Sequence, residues 1–422
     1  MYWNNVFKSV VYAVVVISLL TACGGGGNAP ASSSASGATS GSSGSTPAPS
    51  VGLASNVVTV TVDKGPAGNN VNRLYTDVTI CQAGSTTLCQ TIDHVLVDTG
   101  STGLRLLSGV VSPSLGLSNV VAASGLPLLA CARFVDNTFA WGPVVTADIV
   151  LGGKTAASVP IQMVADPAFN GLARTCSTGA VLDTVATLGA KGIIGIGLFK
   201  EDCGASCANV TANGIYFTCT TAACNAAAGT RATTGKQLKN PVALFASDNN
   251  GFLIDLPAVG SAGAVSLSGS LIFGIGTQSN NQVTSSRVLT TGATGYFSTL
   301  LAGQSLNTSF IDTGSNGLYF DSSTIPVCNG GVNSGFYCPT SLLTLPATQV
   351  GSNAVNNLVA FSVDNATTLF ADPSKTVLPN LAGTIGNART FDWGLPFFYG
   401  RRVFTGIEGQ PSAVGTGPLY AF

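Results

Sequence analysis

From residue 56 onward, short apolar runs of strand length alternate with clusters of Gly, Asn and Pro. No amphipathic helix longer than about three turns can be traced among them. The pattern predicts a mainly β chain with local helix only around residues 241–247. Residues 24–55 are dominated by Gly, Ser, Ala and Pro, show no period, and predict an unstructured tether. Ahead of them, Lys8 precedes an apolar stretch at residues 10–20 that is too short to span a bilayer and reads as a secretion signal. Residues 201–237, rich in Ala, Thr and Cys, predict an insertion held by disulfides rather than by a core of its own.

An internal repeat stands out against this background. Residues 94–106 align without gaps on residues 308–320, with six of thirteen positions identical. The shared residues are Asp98/Asp312, Thr99/Thr313, Gly100/Gly314, Ser101/Ser315, Gly103/Gly317 and Leu104/Leu318. One Asp-Thr-Gly-Ser arises by chance in roughly a few chains per hundred of this composition, whereas two copies in matched strand contexts imply a duplicated half-structure. If the halves pack about a pseudo-twofold axis, Asp98 and Asp312 meet at it. Two carboxylates that close cannot both ionise, so one proton is shared. One member then serves as general base on a water and the other as general acid toward a carbonyl. Gly100 and Gly314 let backbone N–H groups face the carboxylates, and Ser101 and Ser315 orient their outer oxygens. Thr99 and Thr313 cross-brace the two loops.

Composition narrows the class further. Charged residues make up 8% of the chain, with formal net charge −1 and no basic run, which gives a nucleic-acid surface no support. Only Glu201 and Glu408 are Glu, Lys is scarce, and Val, Thr, Ser, Gly and Asn fill a strand-and-turn vocabulary. Eleven cysteines are an odd number for an exported chain. Leu20-Thr21-Ala22-Cys23 resembles the lipobox of bacterial lipoproteins, and assigning Cys23 to a lipid anchor leaves ten. By that resemblance, Gly at position 24 favours the outer membrane. Closeness in sequence suggests Cys81 with Cys89, Cys203 with Cys207, Cys219 with Cys224 and Cys328 with Cys338, leaving Cys131 with Cys176. A zinc site from Cys203, Cys207, Cys219 and Cys224 is the alternative, disfavoured in an oxidising compartment.

The paired motifs resemble those of the pepsin-like aspartic peptidases, and further landmarks extend the resemblance along residues 70–422. They include the Gly-Gly turn at 152–153, the apolar-apolar-Gly segment at 192–197, the strand at 270–276 and the final segment at 394–409. The chain is also similar to a group of bacterial lipoproteins with paired Asp-Thr-Gly-Ser motifs and a Trp-Gly-Pro element. The resemblance implies a bilobal β fold with a central cleft, its N-terminal lobe at 56–276 carrying the insertion at about 201–237, and its C-terminal lobe at 277–422. Residues 1–22 would be the signal and 23–55 the lipidated tether. It also implies an aspartic endopeptidase acting on a polypeptide in the cleft, as a monomer, with no metal and no cofactor.

Three features depart from the family pattern. Arg105 stands where an aromatic is usual, and the expected flap at about 133–146 lacks a Tyr-Gly pair. Phe139 and Trp141 are the candidates for an aromatic lid, with packing beneath the hairpin as their alternative role. Asp392 intrudes beside an expected apolar pair and reads as a solvated loop residue or a partner for Arg105, Arg401 or Arg402. His94, the only histidine, shares the face of Asp98 by period but has no second ligand, and reads as structural. These departures motivate a second reading, a catalytically inactive lipoprotein that binds a peptide, glycan or protein in the cleft.

Overall fold

Period-two alternation of apolar and polar residues becomes a set of strands whose buried positions face a common core. A computed structural model describes residues 54–284 and 287–422; the expected signal, Cys23 and nearly all of the tether lie outside the described residues. Among the described residues the chain is mainly β, with barrel-like sheets, a larger one of seventeen strands and a smaller one of seven.

Leu74–Gln82 and Cys89–Asp98 form an antiparallel hairpin whose turn end is tied by the Cys81–Cys89 disulfide. Cys89–Asp98 starts exposed and ends buried: Val95, Leu96, Val97 and Asp98 are all fully enclosed. The apolar run therefore drives the chain inward and carries one carboxyl with it. Thr102–Leu107 leads back out, entirely buried. Between these two strands lies Gly192–Ile196, parallel to the first and antiparallel to the second, with Gly195 opposite both Asp98 and Gly103. A Cβ on Gly195 would lie 2.6 Å from the Thr102 nitrogen, so glycine there permits the strand to press against the loop.

The smaller sheet repeats this threading. Gln304–Ile311 enters, Leu318–Tyr319 leaves, and Asp392–Trp393 lies between them, parallel to the first and antiparallel to the second. Phe391 stacks on Trp393 at 4.0 Å and on Phe320 at 4.8 Å, packing the interior of this sheet with aromatic area. Arg401–Gly406 and Leu419–Ala421 then return to the larger sheet, pairing with Gly251–Leu256 and Val288–Thr290. A chain division at residues 276/277 is consequently not a division between the sheets. One apolar core runs from Val60 in the larger sheet to Trp393 in the smaller.

Asn72, just before Leu74–Gln82, ties three distant loops together. Its fully buried amide donates to the carbonyls of Asn316 and Leu378 at 2.9 and 2.8 Å, and its oxygen accepts from Leu378 N and Tyr399 Oη at 2.7 and 2.8 Å.

Two expectations need correction. The helix expected around 241–247 is a 3-10 turn, Pro241–Leu244, capped by the Asn240 side chain. The 201–237 segment does share a core: Tyr216–Cys219 pairs with Leu128–Arg133, and Cys207, Tyr216 and Ala232 bury against Leu128, Ala130 and Val144. Those residues are too widely spaced for a local period to reveal them. The ten cysteines of the described residues form the four disulfides suggested by closeness in sequence and the remaining Cys131–Cys176 pair. The alternative zinc site falls, because its four sulfurs are spent in two disulfides.

Candidate active site: two aspartates at matched strand ends

The two Asp-Thr-Gly-Ser segments meet where the paired threadings face each other. Gly100 N donates to Asp98 Oδ1 at 2.8 Å and to Asp312 Oδ1 at 3.0 Å, so both carboxyls converge on one backbone group. Gly314 N donates to Asp312 Oδ1 at 2.7 Å. Both carboxyls also crowd Gly314, where an added Cβ would lie 2.8 Å from Asp98 Oδ1 and 3.0 Å from Asp312 Oδ1. No side chain fits at either glycine, since a Cβ on Gly100 would lie 2.7 Å from Asp312 Cγ. The outer oxygens are held by serines. Ser101 Oγ donates to Asp98 Oδ2, and Ser315 Oγ donates to Asp312 Oδ2 at 2.9 Å.

The threonines lock the loops crosswise. Thr313 Oγ1 donates to Val97 O at 2.7 Å and accepts from Thr99 N at 3.2 Å. Thr99 Oγ1 donates to Ile311 O at 3.3 Å and accepts from Thr313 N at 2.9 Å. Each hydroxyl thus satisfies one donor and one acceptor of the opposite strand end, which sets the spacing of the carboxyls.

Burial pushes both acids up. At Asp98 the rise is opposed by hydrogen bonds from Ser101 and Gly100 and by the charge of Arg105. At Asp312 burial is reinforced by the negative charges of Asp98 and Asp392, and the pKa is raised well above the ordinary carboxyl value. The pair accordingly favours holding one proton over ionising twice.

Residues 52–422 match the family described as a protein of unknown function (DUF3443). The chain belongs to this family. No curated protein matches it.

Around the pair, this DUF3443 chain places the other candidates as follows. Arg105 is 6% exposed, and its Nη1 donates to the carbonyls of Thr102 and Gly103 at 2.9 and 3.3 Å. Its Nη2 lies 3.6 Å from Asp202 Oδ2. Asp202 accepts from Tyr216 Oη at 2.7 Å, and that hydroxyl accepts from Leu238 N at 2.7 Å. Burial raises Asp202 to about 6 even though Arg105 pulls the other way. A cavity of about 480 Å³ opens beside the first loop, lined by Ser101, Arg105, Arg133 and Asp202 and by the two glutamates, Glu201 and Glu408.

Phe139 and Trp141 do not lie over the site. They are 0% and 1% exposed and pack under the Leu128–Arg133/Thr138–Leu151 hairpin. Trp141 meets Phe217 edge-on at 5.4 Å, and its Nε1 donates to Phe169 O at 3.0 Å. The lid expectation is corrected by this packing, because a wholly enclosed ring has no face left for a ligand. Asp392 is not a solvated loop residue; it is 0% exposed on the strand between Gln304–Ile311 and Leu318–Tyr319. His94 has φ 52°, which breaks the alternation that would align it with Asp98. Its Nδ1 lies 2.7 Å from Asp93, and its Nε2 lies 3.4 Å from Asp63 near the surface. Sequence reasoning missed Asp202 and Tyr216. Neither belongs to the repeat, and their meeting with Arg105 is long-range.

Proposed function

We propose that this protein is an aspartic endopeptidase with a pepsin-like bilobal arrangement, hydrolysing peptide bonds by a water activated between Asp98 and Asp312. The observation that carries the reading is a pair of fully buried carboxyls that share hydrogen bonds and sit on cross-braced, glycine-cleared loops. The ionised member takes a proton from water as the water oxygen attacks the carbonyl carbon. The protonated member gives its proton to the carbonyl oxygen. Collapse of the tetrahedral intermediate returns a proton to the departing amine and restores the singly protonated pair. The cavity beside Ser101 would take a side chain of the bound polypeptide. Five disulfides favour an oxidising compartment, in keeping with an exported lipoprotein anchored through Cys23 at the outer membrane.

The test is incubation of the purified full-length chain with a denatured protein from acid to neutral pH, beside Asp98→Asn and Asp312→Asn. Cleavage by the wild type and its loss in both variants supports the reading. Equal peptide patterns in all three samples overturn it.

A second reading, ligand binding in the cleft without turnover, is favoured by the burial of Phe139 and Trp141, which leaves the hairpin without those rings as a lid. Capture of an intact peptide that stays intact through long incubation supports it.

A further inference from the structure

The two threadings around the aspartates carry ionisable residues of opposite kind in the same cross-strand bridge, on different strands of it. In the first, the middle strand Gly192–Ile196 sets Ile193 opposite Arg105. In the second, the middle strand Asp392–Trp393 sets Asp392 opposite Tyr319. Arg105 and Tyr319 are matched positions of the repeat, each seven residues beyond its aspartate. Each threading therefore holds one charged residue in this bridge, a cation near Asp98 and an acid near Asp312. Both are buried, at 6% and 0% exposure. Asp392 also stands opposite Phe310, and the next residue, Trp393, accepts from Asp312 N at 3.0 Å. Arg105 is fixed on the carbonyls of Thr102 and Gly103, directly after the first loop.

We propose that Arg105 and Asp392 are positioning residues that polarise the pair, keeping the negative charge on Asp98 and the proton on Asp312. The proposal deepens the aspartic-peptidase reading and rests on it. In a buried site a cation near one carboxyl and a second acid near the other interact with little screening by solvent. Arg105 opposes the rise at Asp98, and Asp392 adds to the rise at Asp312. Asp202 faces Arg105 at 3.6 Å with the Tyr216 hydroxyl bonded to it, and Glu201 lines the same cavity. Tyr319 stands opposite Asp392, Arg73 acts on Tyr319, and the charge of Asp392 also reaches Tyr420. Asp202 is increasingly protonated below about 6 and then offsets Arg105 least. The first dissociation of the pair is thereby lowered and the second raised, which widens the pH range in which it holds one proton.

The experiment compares the full-length wild type with Arg105→Met, Arg105→Lys and Asp392→Asn. The readouts are the pH profile of kcat/KM on a peptide substrate and the carbon-13 carboxyl titration of protein labelled at Asp Cγ. Arg105→Met is expected to move the acidic limb to higher pH and leave the alkaline limb in place, with Arg105→Lys restoring it. Asp392→Asn is expected to move the alkaline limb to lower pH and leave the acidic limb in place. A limb moved by about one pH unit changes the rate on that limb about tenfold. Profiles reduced in height with both limbs fixed, or limbs displaced together, overturn the proposal and leave the two residues a structural role. If Arg105→Met does not fold, Arg105→Gln takes its place. If the wild type cleaves nothing, the peptidase reading falls. The carboxyl titration then still decides polarisation: the two dissociations draw together in the variants if it holds and keep their spacing if it does not.

Discussion

Replacing Thr313 by Val keeps the shape of the side chain and removes only the hydroxyl. That hydroxyl donates to Val97 O at 2.7 Å and accepts from Thr99 N at 3.2 Å, both across the contact between the two motifs. The variant loses two hydrogen bonds, each worth about 1 kcal/mol net, and leaves a carbonyl and an N–H buried without those partners. Orphaning raises the cost toward about 1–3 kcal/mol per group, so a total of about 2–4 kcal/mol is expected. Thr99→Val should behave alike, since its hydroxyl serves Ile311 O and Thr313 N in the same way. Thr313→Ser keeps both bonds and loses one methyl, a change of about 1 kcal/mol. Urea unfolding followed by tryptophan fluorescence measures these differences as a shift in midpoint at constant slope. A Thr313→Val protein within about 0.5 kcal/mol of wild type would falsify the cross-brace. So would a serine variant as unstable as the valine variant, because packing rather than hydrogen bonding would then carry the effect.

Other expectations follow from the same geometry. Asp202 is raised from 3.8 to about 6, so the folded state holds its proton more tightly than the unfolded state does, and its stabilising contribution is present at low pH and lost as pH rises through about 6. About two units at about 1.4 kcal/mol each predict that stability falls by about 3 kcal/mol between about pH 3 and 7 in the wild type relative to Asp202→Asn, measured by urea unfolding at each pH. Asn72→Ala removes four hydrogen bonds to distant loops and puts Ala at φ 49°, and should cost about 3–5 kcal/mol in the same assay, whereas a loss under about 1 kcal/mol would deny the tie its role. Replacing both cysteines of Cys131–Cys176, separated by 45 residues, should cost about 4 kcal/mol, against about 2 kcal/mol for Cys203–Cys207 with its separation of 4; an equal loss would contradict loop closure as the cause.

What could be read from the chain and what could not divides by the range of the interaction. Asp98 and Asp312 were legible because the chemistry of a carboxyl pair demands the same short run twice, and a run of four residues is visible locally. The cysteine pairs were legible because four of the five close short loops, leaving Cys131 and Cys176 as the remainder. Phe139 and Trp141 mark the opposite case. An aromatic on a hairpin has the same pattern whether it faces a cleft or a core, and only Phe217 and Phe169, far along the chain, decide the matter. The Arg105–Asp202–Tyr216 group and the Asn72 tie are illegible for the same reason, since they join segments whose proximity no local period records. Asp392 was misread because an acid in an otherwise apolar segment suggests solvent, whereas its strand is enclosed on both sides.

The buried acids themselves separate structure from chemistry. Asp148 caps two loops, its Oδ1 accepting from Ser158 N at 2.6 Å and its Oδ2 from Gly84 N at 2.9 Å. Asp248 accepts from Lys154 Nζ and Gln278 Nε2, each at 2.6 Å, and from Thr277 Oγ1 at 2.5 Å. Burial works to raise Asp248, yet these donors prevail and its pKa is lowered, which is how a carboxylate is kept charged in a stable fold. Asp98 and Asp312 receive backbone and hydroxyl donors too, but they face each other, and both are raised. A structural role would be met more cheaply by an amide at either position, since Asn would keep much of the hydrogen bonding and escape the charge burial. Two buried acids that share Gly100 N as a donor are what the proposed proton-sharing chemistry requires.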